Sequence, residues 1–298
     1  MKRSLTLALV FSLAFAVVID AQQRGGGGGR GGDFAAQVAT ALPLEGAPLA
    51  VPGPYTVESG PAFGSPGDVV YRPADLTPFP GKDTLPVMVW GNGGCAINST
   101  RYAGFLTTIA SHGFLVMATV AEPGVTRATA DLLRKAIDWT EAENKRAESP
   151  LKGKIALDRV SVMGQSCGGF MSLELGGDPR VKTIGVFNSG LQGNNTAQLT
   201  ALHGPVLLIN GHERDFLMAS SKATFDAIET LPAFYGARHG AGHTATVDHP
   251  GGGEWANVAS NWLRWQFKRD KQAAKMFVGK DCSLCTNSTW DTASKNLK

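Results

Sequence analysis

From about Val51 onward, short apolar runs alternate with stretches of helical periodicity, and few architectures can bury both. The runs are Asp68 to Tyr71, Val87 to Trp90, Phe114 to Val120, Val160 to Met163, Thr183 to Phe187, Val206 to Ile209 and Ala233 to Tyr235. Several are apolar on both faces, as a strand must be when helices cover it on each side. Between them, Tyr102, Phe105, Leu106 and Ile109 share one helical face that Gly113 ends, and Leu132, Leu133, Ala136, Ile137 and Thr140 share another. Trp255, Val258, Ala259, Trp262 and Leu263 repeat the pattern late in the chain. This alternation predicts an α/β fold with a mainly parallel sheet and helices on both faces, and it assigns the tryptophans to the core.

Composition agrees with one large α/β domain in a chain of 298 residues. Hydrophobic residues are 43% and charged residues 18%, so a sizeable core is available and global disorder is excluded. Twenty-eight basic against 25 acidic side chains leave +3, too little for a dedicated nucleic-acid binder. The N-terminus reads Lys2, Arg3, a mostly apolar stretch from Leu5 to Val18, then Asp20 and Ala21, which predicts a signal peptide over 1–21, with cleavage after Ala16 as the competing site. The stretch is short for a bilayer span, so the expectation is a secreted protein, extracellular or periplasmic, without stable membrane insertion, an uncleaved N-terminal anchor being the alternative. Residues 22–50, with five consecutive glycines at 25–29, read as a flexible linker; 51–270 as the folded domain; and 271–298 as a C-terminal extension. Export to an oxidising compartment predicts that the four cysteines pair. Asn98, Asn194 and Asn287 head glycosylation sequons.

The apolar run at 160–163 passes directly into Gly164, Gln165, Ser166, Cys167 and Gly168, and a helix-compatible run follows. G-x-S-x-G in that context presents a serine on a sharp strand-to-helix turn, where flanking glycines leave room for the backbone, and marks Ser166 as a nucleophile. The glycines at 91, 93 and 94 leave another apolar run but lack the Lys-Ser or Lys-Thr pair of a phosphate cradle. Three of the six histidines, His239, His243 and His249, cluster late, with spacings that match no metal-ligand pattern, so no metal is expected. His112 reads as a partner for the last carbonyls of its helix. Cys282 and Cys285 form a C-x-x-C without the βαβ context of a redox motif, which leaves a small structural disulfide.

Taken in order, three motifs resemble the α/β-hydrolase superfamily, and within it the secreted dienelactone-hydrolase-like and polyester-hydrolase-like (cutinase-type) serine esterases: Trp90 to Cys95 after a strand with Ser111 to Phe114 beyond it, the Ser166 elbow, and a late histidine before the last helix. The resemblance spans roughly Val51 to Lys268 and implies an α/β-hydrolase fold with little or no lid. It implies that Ser166 attacks an ester carbonyl, His243 moves the proton and Asp215 orients the imidazole, through an acyl-enzyme and without a cofactor. His239 is the alternative base. Glu213 competes as the acid, because Asp215 falls one residue later than the family's usual Asp. The backbone N–H groups of Cys167 and Cys95 would form the oxyanion hole, with Gly94 as the alternative to Cys95. Donors so placed would lie close together, so a Cys95–Cys167 disulfide is expected, with two free buried thiols as the alternative, and Cys282 and Cys285 are the remaining pair.

The expected substrate is a small-molecule or polymeric ester at an open cleft, and the expected state is a monomer. Polyester hydrolases of this kind carry an aromatic clamp where this chain has Asn188, Ser189, Gly190 and Leu191, which argues against aromatic polyesters. The rival functions are an acyltransferase using the same triad, a serine peptidase of similar fold and a catalytically inactive extracellular binding protein.

Overall fold

The computed structural model describes residues 44, 46–193 and 195–298. The expected signal peptide, most of the linker and Asn194 lie outside the described residues. Nine strands form one sheet in the order β1-β2-β4-β3-β5-β6-β7-β8-β9: β1 Val57–Ala62, β2 Ser65–Pro73, β3 Leu85–Gly91, β4 Leu115–Thr119, β5 Ile155–Gln165, β6 Val181–Phe187, β7 Val206–Gly211, β8 Ala233–Arg238 and β9 Trp290–Lys295. From β4 through β8 every neighbouring pair is parallel, and β1, β2 and β9 add antiparallel edges. Five longer helices pack on the sheet: α1 Ala103–Ser111, α2 Ala130–Lys145, α3 Cys167–Leu175, α4 Met218–Ala227 and α5 Gly253–Lys268. This is the mainly parallel sheet between helices that the alternation predicts, in the α/β-hydrolase arrangement that the resemblance implies.

Side chains alternate across the pleat, so the sheet feeds two cores. Val87 and Val89 of β3 join a core with Leu133 and Ile137 of α2, Met171 of α3 and Phe225 of α4. Met88 and Trp90 point the other way, into a core with Phe105 and Ile109 of α1 and Trp255 and Trp262 of α5. Every residue of β3, β4, β7 and β8 is buried, which is why their sequences show no polar face. Local signals set the helix ends. The Thr129 side chain caps α2, Lys145 lies in its last turn, and Gly113 takes a φ of 82° beyond α1.

Two segments differ from the expected organisation. Residues near the end of the predicted linker are fastened to the domain: Asn257 Nδ2 donates to Leu49 O at 2.8 Å, and Val51 N donates to Asn257 Oδ1 at 2.7 Å. The expected C-terminal extension contributes β9, whose pairing with β8 completes the sheet, after the Cys282–Cys285 disulfide. Neither β1 nor β9 is marked by an apolar run in the sequence, because both are edge strands with exposed polar positions. No helix among the described residues is long and apolar enough to cross a membrane.

Candidate active site

Parallel strands put their C-terminal ends along one border of the sheet, and the loops there carry the polar groups of the candidate site. Ser166 stands where β5 gives way to α3, at φ 54° and ψ −115°. Such a conformation costs a non-glycine residue about 1–3 kcal/mol and persists only where its surroundings enforce it. Here Ser166 N donates to Phe187 O at 2.9 Å, while Ser166 O accepts from Gly169 N at 2.9 Å and from Ser189 Oγ at 2.7 Å. The turn is this tight because Gly168 lies directly against Gly91 and Gly164; a Cβ on Gly168 would overlap the Gly91 carbonyl.

The loop after β8 brings His243 to this serine, with Nε2 2.9 Å from Ser166 Oγ. On its other side Nδ1 lies 2.8 Å from Asp215 Oδ1, on the loop after β7. A carboxylate only accepts, so Nδ1 carries the ring proton toward Asp215 and Nε2 is left to accept from the Ser166 hydroxyl. Asp215 is buried, and three groups satisfy it besides the imidazole: Leu217 N donates to Oδ1 at 3.1 Å, Asn188 Nδ2 to Oδ2 at 2.8 Å and Gly211 N to Oδ2 at 3.2 Å. Asn188, itself fully buried, is fixed by Trp255, whose Nε1 donates to Asn188 Oδ1 at 3.1 Å. The ring of Phe216 lies over His243 with centroids 4.1 Å apart, and Phe216 is 45% exposed.

The competing residues lie elsewhere. Glu213 is exposed and accepts from Gly240 N at 3.0 Å; a hydrogen bond from its own backbone N–H chiefly holds its carboxyl below the usual range. His239 lies with its Nε2 3.1 Å from Asp291 Oδ1. His249 accepts from Leu44 N at 3.4 Å. His112 differs from its expected role: its ring Nε2 pairs with Val51 O at 3.0 Å, so it fastens the incoming N-terminal arm instead of the helix carbonyls.

Cys95 and Cys167 are joined in a disulfide with Cα atoms 5.1 Å apart. Gly94 and Cys95 have φ of 63° and 50°, so the chain turns back sharply after β3 and its backbone meets the start of α3. The arrangement can position a hydroxyl, withdraw its proton and present backbone donors from two segments beside it.

His212, His239 and Asp291 each offer a ligand atom within 4.8 Å of the others, a spacing that could hold a divalent ion. They come from three separate segments, which is why sequence spacing shows no ligand pattern. They are already paired, His212 Nε2 lying 2.9 Å from Asp291 Oδ2 and His212 Nδ1 2.9 Å from Glu213 Oε2 outside the group. The sequence assigns no polar role to Asn188, Gln165 or Tyr102. Each is a polar side chain buried against a partner distant in the chain, and no local pattern announces that.

A protein-family profile described as PETase: PET hydrolase-like matches residues 42–290. No curated protein matches the chain.

Proposed function

The chain belongs to the PET hydrolase-like family and is a carboxylic ester hydrolase of the serine esterase type, and from that premise we propose that Ser166, His243 and Asp215 are its catalytic triad. The observation that carries this reading is the continuous hydrogen-bonded series from Asp215 Oδ1 through His243 to Ser166 Oγ, at 2.8 and 2.9 Å. Ser166 Oγ attacks the ester carbonyl while its proton passes to His243 Nε2. The tetrahedral oxyanion is held by the N–H groups of Cys95 and Cys167, the alcohol leaves with the proton from Nε2, and a water activated by the same nitrogen hydrolyses the acyl-enzyme. Asp215 keeps the imidazole in the tautomer that can accept.

The substrate class is an accessible carboxylic ester, small or polymeric. The family's name points to an aromatic polyester, but Asn188 is buried beneath the acid and offers a substrate no aromatic face. Phe216, exposed beside the base, is the aromatic surface available there. The N-terminal signal pattern together with two disulfides supports export, and we read the mature enzyme as a secreted monomer without a cofactor.

Turnover of p-nitrophenyl esters tests the triad. Ser166→Ala is expected to lower kcat by about 10⁴ to 10⁶, and a phosphonate probe to label Ser166 alone. Asp215→Asn should be crippling while Glu213→Gln stays within a few-fold of the parent. Near-normal esterase activity in Ser166→Ala, or the reverse order of the two acid variants, would overturn the assignment. The same assay run across acyl chain lengths defines the ester preferred.

A further inference from the structure

We infer that Gln165 and Tyr102 are positioning residues, which tie the oxyanion loop to the catalytic base through one buried hydrogen-bonded relay. The inference rests on the triad reading above. Gln165 is the residue between Gly164 and the nucleophile, yet its side chain is 3% exposed and turns away from solvent. Its Nε2 donates to the backbone carbonyl of His243 at 2.8 Å. Its Oε1 accepts from the Tyr102 hydroxyl at 2.9 Å, and that hydroxyl oxygen accepts from Gly93 N at 2.9 Å. An amide NH₂ only donates and an amide oxygen only accepts, so the three bonds have a single direction, and breaking any one leaves a buried group unpaired.

The two ends of the relay are what give it consequence. Gly93 lies two residues before Cys95 in the turn assigned to the oxyanion, and the carbonyl belongs to the base itself. Asp215 governs how the imidazole is rotated, and His243 lies on a loop outside the named helices and strands, next to the bridge that Gly242 makes with Arg214. Gln165, anchored at the strand end beside Ser166, sets how far that backbone stands from the nucleophile.

A second observation points the same way. A Cβ on Gly93 would overlap Gln165 Oε1 and come within 2.7 Å of the Tyr102 hydroxyl, so the relay occupies the space that a side chain at 93 would need. The Tyr102 ring packs on Trp90 with centroids 5.2 Å apart, and burial pushes its hydroxyl pKa up, which keeps the proton that the relay requires.

Steady-state kinetics of the full chain test the relay with Tyr102→Phe, Gln165→Met and the double variant. Tyr102→Phe removes one oxygen and keeps the ring in its aromatic packing, so it reports even if Gln165→Met folds poorly. Each single variant is expected to lose about 10- to 100-fold in kcat with KM within about twofold, as a shift near 1 Å between reacting groups would cause. Affinity for a boronate transition-state analogue should fall in step with kcat/KM, which a loss of stability alone would not produce. Because both substitutions break the same chain, the double variant should be no worse than the worse single. The relay is overturned if Tyr102→Phe keeps kcat within twofold of the parent, or if the two losses multiply. Ser166→Ala run alongside separates the two readings: a dead Ser166→Ala with an unaffected Tyr102→Phe rejects the relay and keeps the triad, whereas an active Ser166→Ala removes both.

Discussion

Asp68 on β2 is a carboxyl that the fold buries, and no cation among the described residues forms an ion pair with it. Burial pushes its pKa up to about 6 from 3.8, with Glu122 adding to the rise, while a hydrogen bond from Ser65 Oγ at 2.7 Å and the charge of Lys135 pull it down. The folded state therefore holds a proton that the unfolded chain releases earlier. Its stabilising effect is complete below pH 4 and is lost as the pH rises to about 6, at a cost of up to about 3 kcal/mol. Asp68→Asn should consequently raise the melting temperature by several degrees at pH 8 and give no gain at pH 4. Thermal unfolding at the two pH values checks this, and an equal effect at both would show that the charge is not the cause. Ser166 presents the opposite kind of tension, a backbone conformation that its neighbours enforce and that puts the hydroxyl within reach of His243.

The turn after β3 depends on its covalent tie to the start of α3. Cys95 takes a φ of 50°, where a residue with a Cβ is disfavoured, and it is held at both ends of its side chain and main chain: by the bond to Cys167 and by Ala128 N, which donates to Cys95 O at 2.8 Å. The bridge spans 72 residues, and closing such a loop is worth up to about 4 kcal/mol in the chain-entropy account. Both cysteines can be replaced by serine without removing a backbone N–H. The Cys95→Ser, Cys167→Ser double variant is therefore expected to lose about tenfold or more in kcat at temperatures well below its own melting point, since the turn relaxes before the domain unfolds. If kcat holds within twofold while only the melting temperature falls, the bridge serves stability alone. Elsewhere elements follow simpler rules: α2 begins at a threonine cap and buries Leu133, Ala136, Ile137 and Thr140 along one face.

Across the whole molecule, the C-terminal strand closes the sheet that carries the site. Pairing along β8 covers an edge that would otherwise expose unpaired backbone groups, close to the loop bearing His243. Trp290 donates from Nε1 to Glu254 Oε1 at 2.9 Å, and Lys295 Nζ donates to the carbonyls of Phe225, Asp226 and Ile228 at 2.8–2.9 Å, where α4 ends. Removing residues 289–298 should lower the melting temperature markedly and promote aggregation, read by thermal melts and light scattering, and Lys295→Met should show a smaller loss. A truncated chain as stable and monodisperse as the parent would assign the edge no structural role. Sequence alone determined the alternation of strands and helices, the elbow at Ser166 and the two-sided core, because each is written in local periodicity or in neighbouring residues. It also brought Asp215 and His243 forward as candidates, but it left Glu213 and His239 open beside them. Tertiary structure brings Asp215 and His243, and not Glu213 and His239, to Ser166, and it places Asn188, Gln165, Tyr102 and the edge strand β9. The physical reason is one of range: apolar burial repeats with a period that a short window reveals, whereas a buried polar group is defined by a partner that only folding brings within 3 Å, such as His243 for Gln165, 78 residues away.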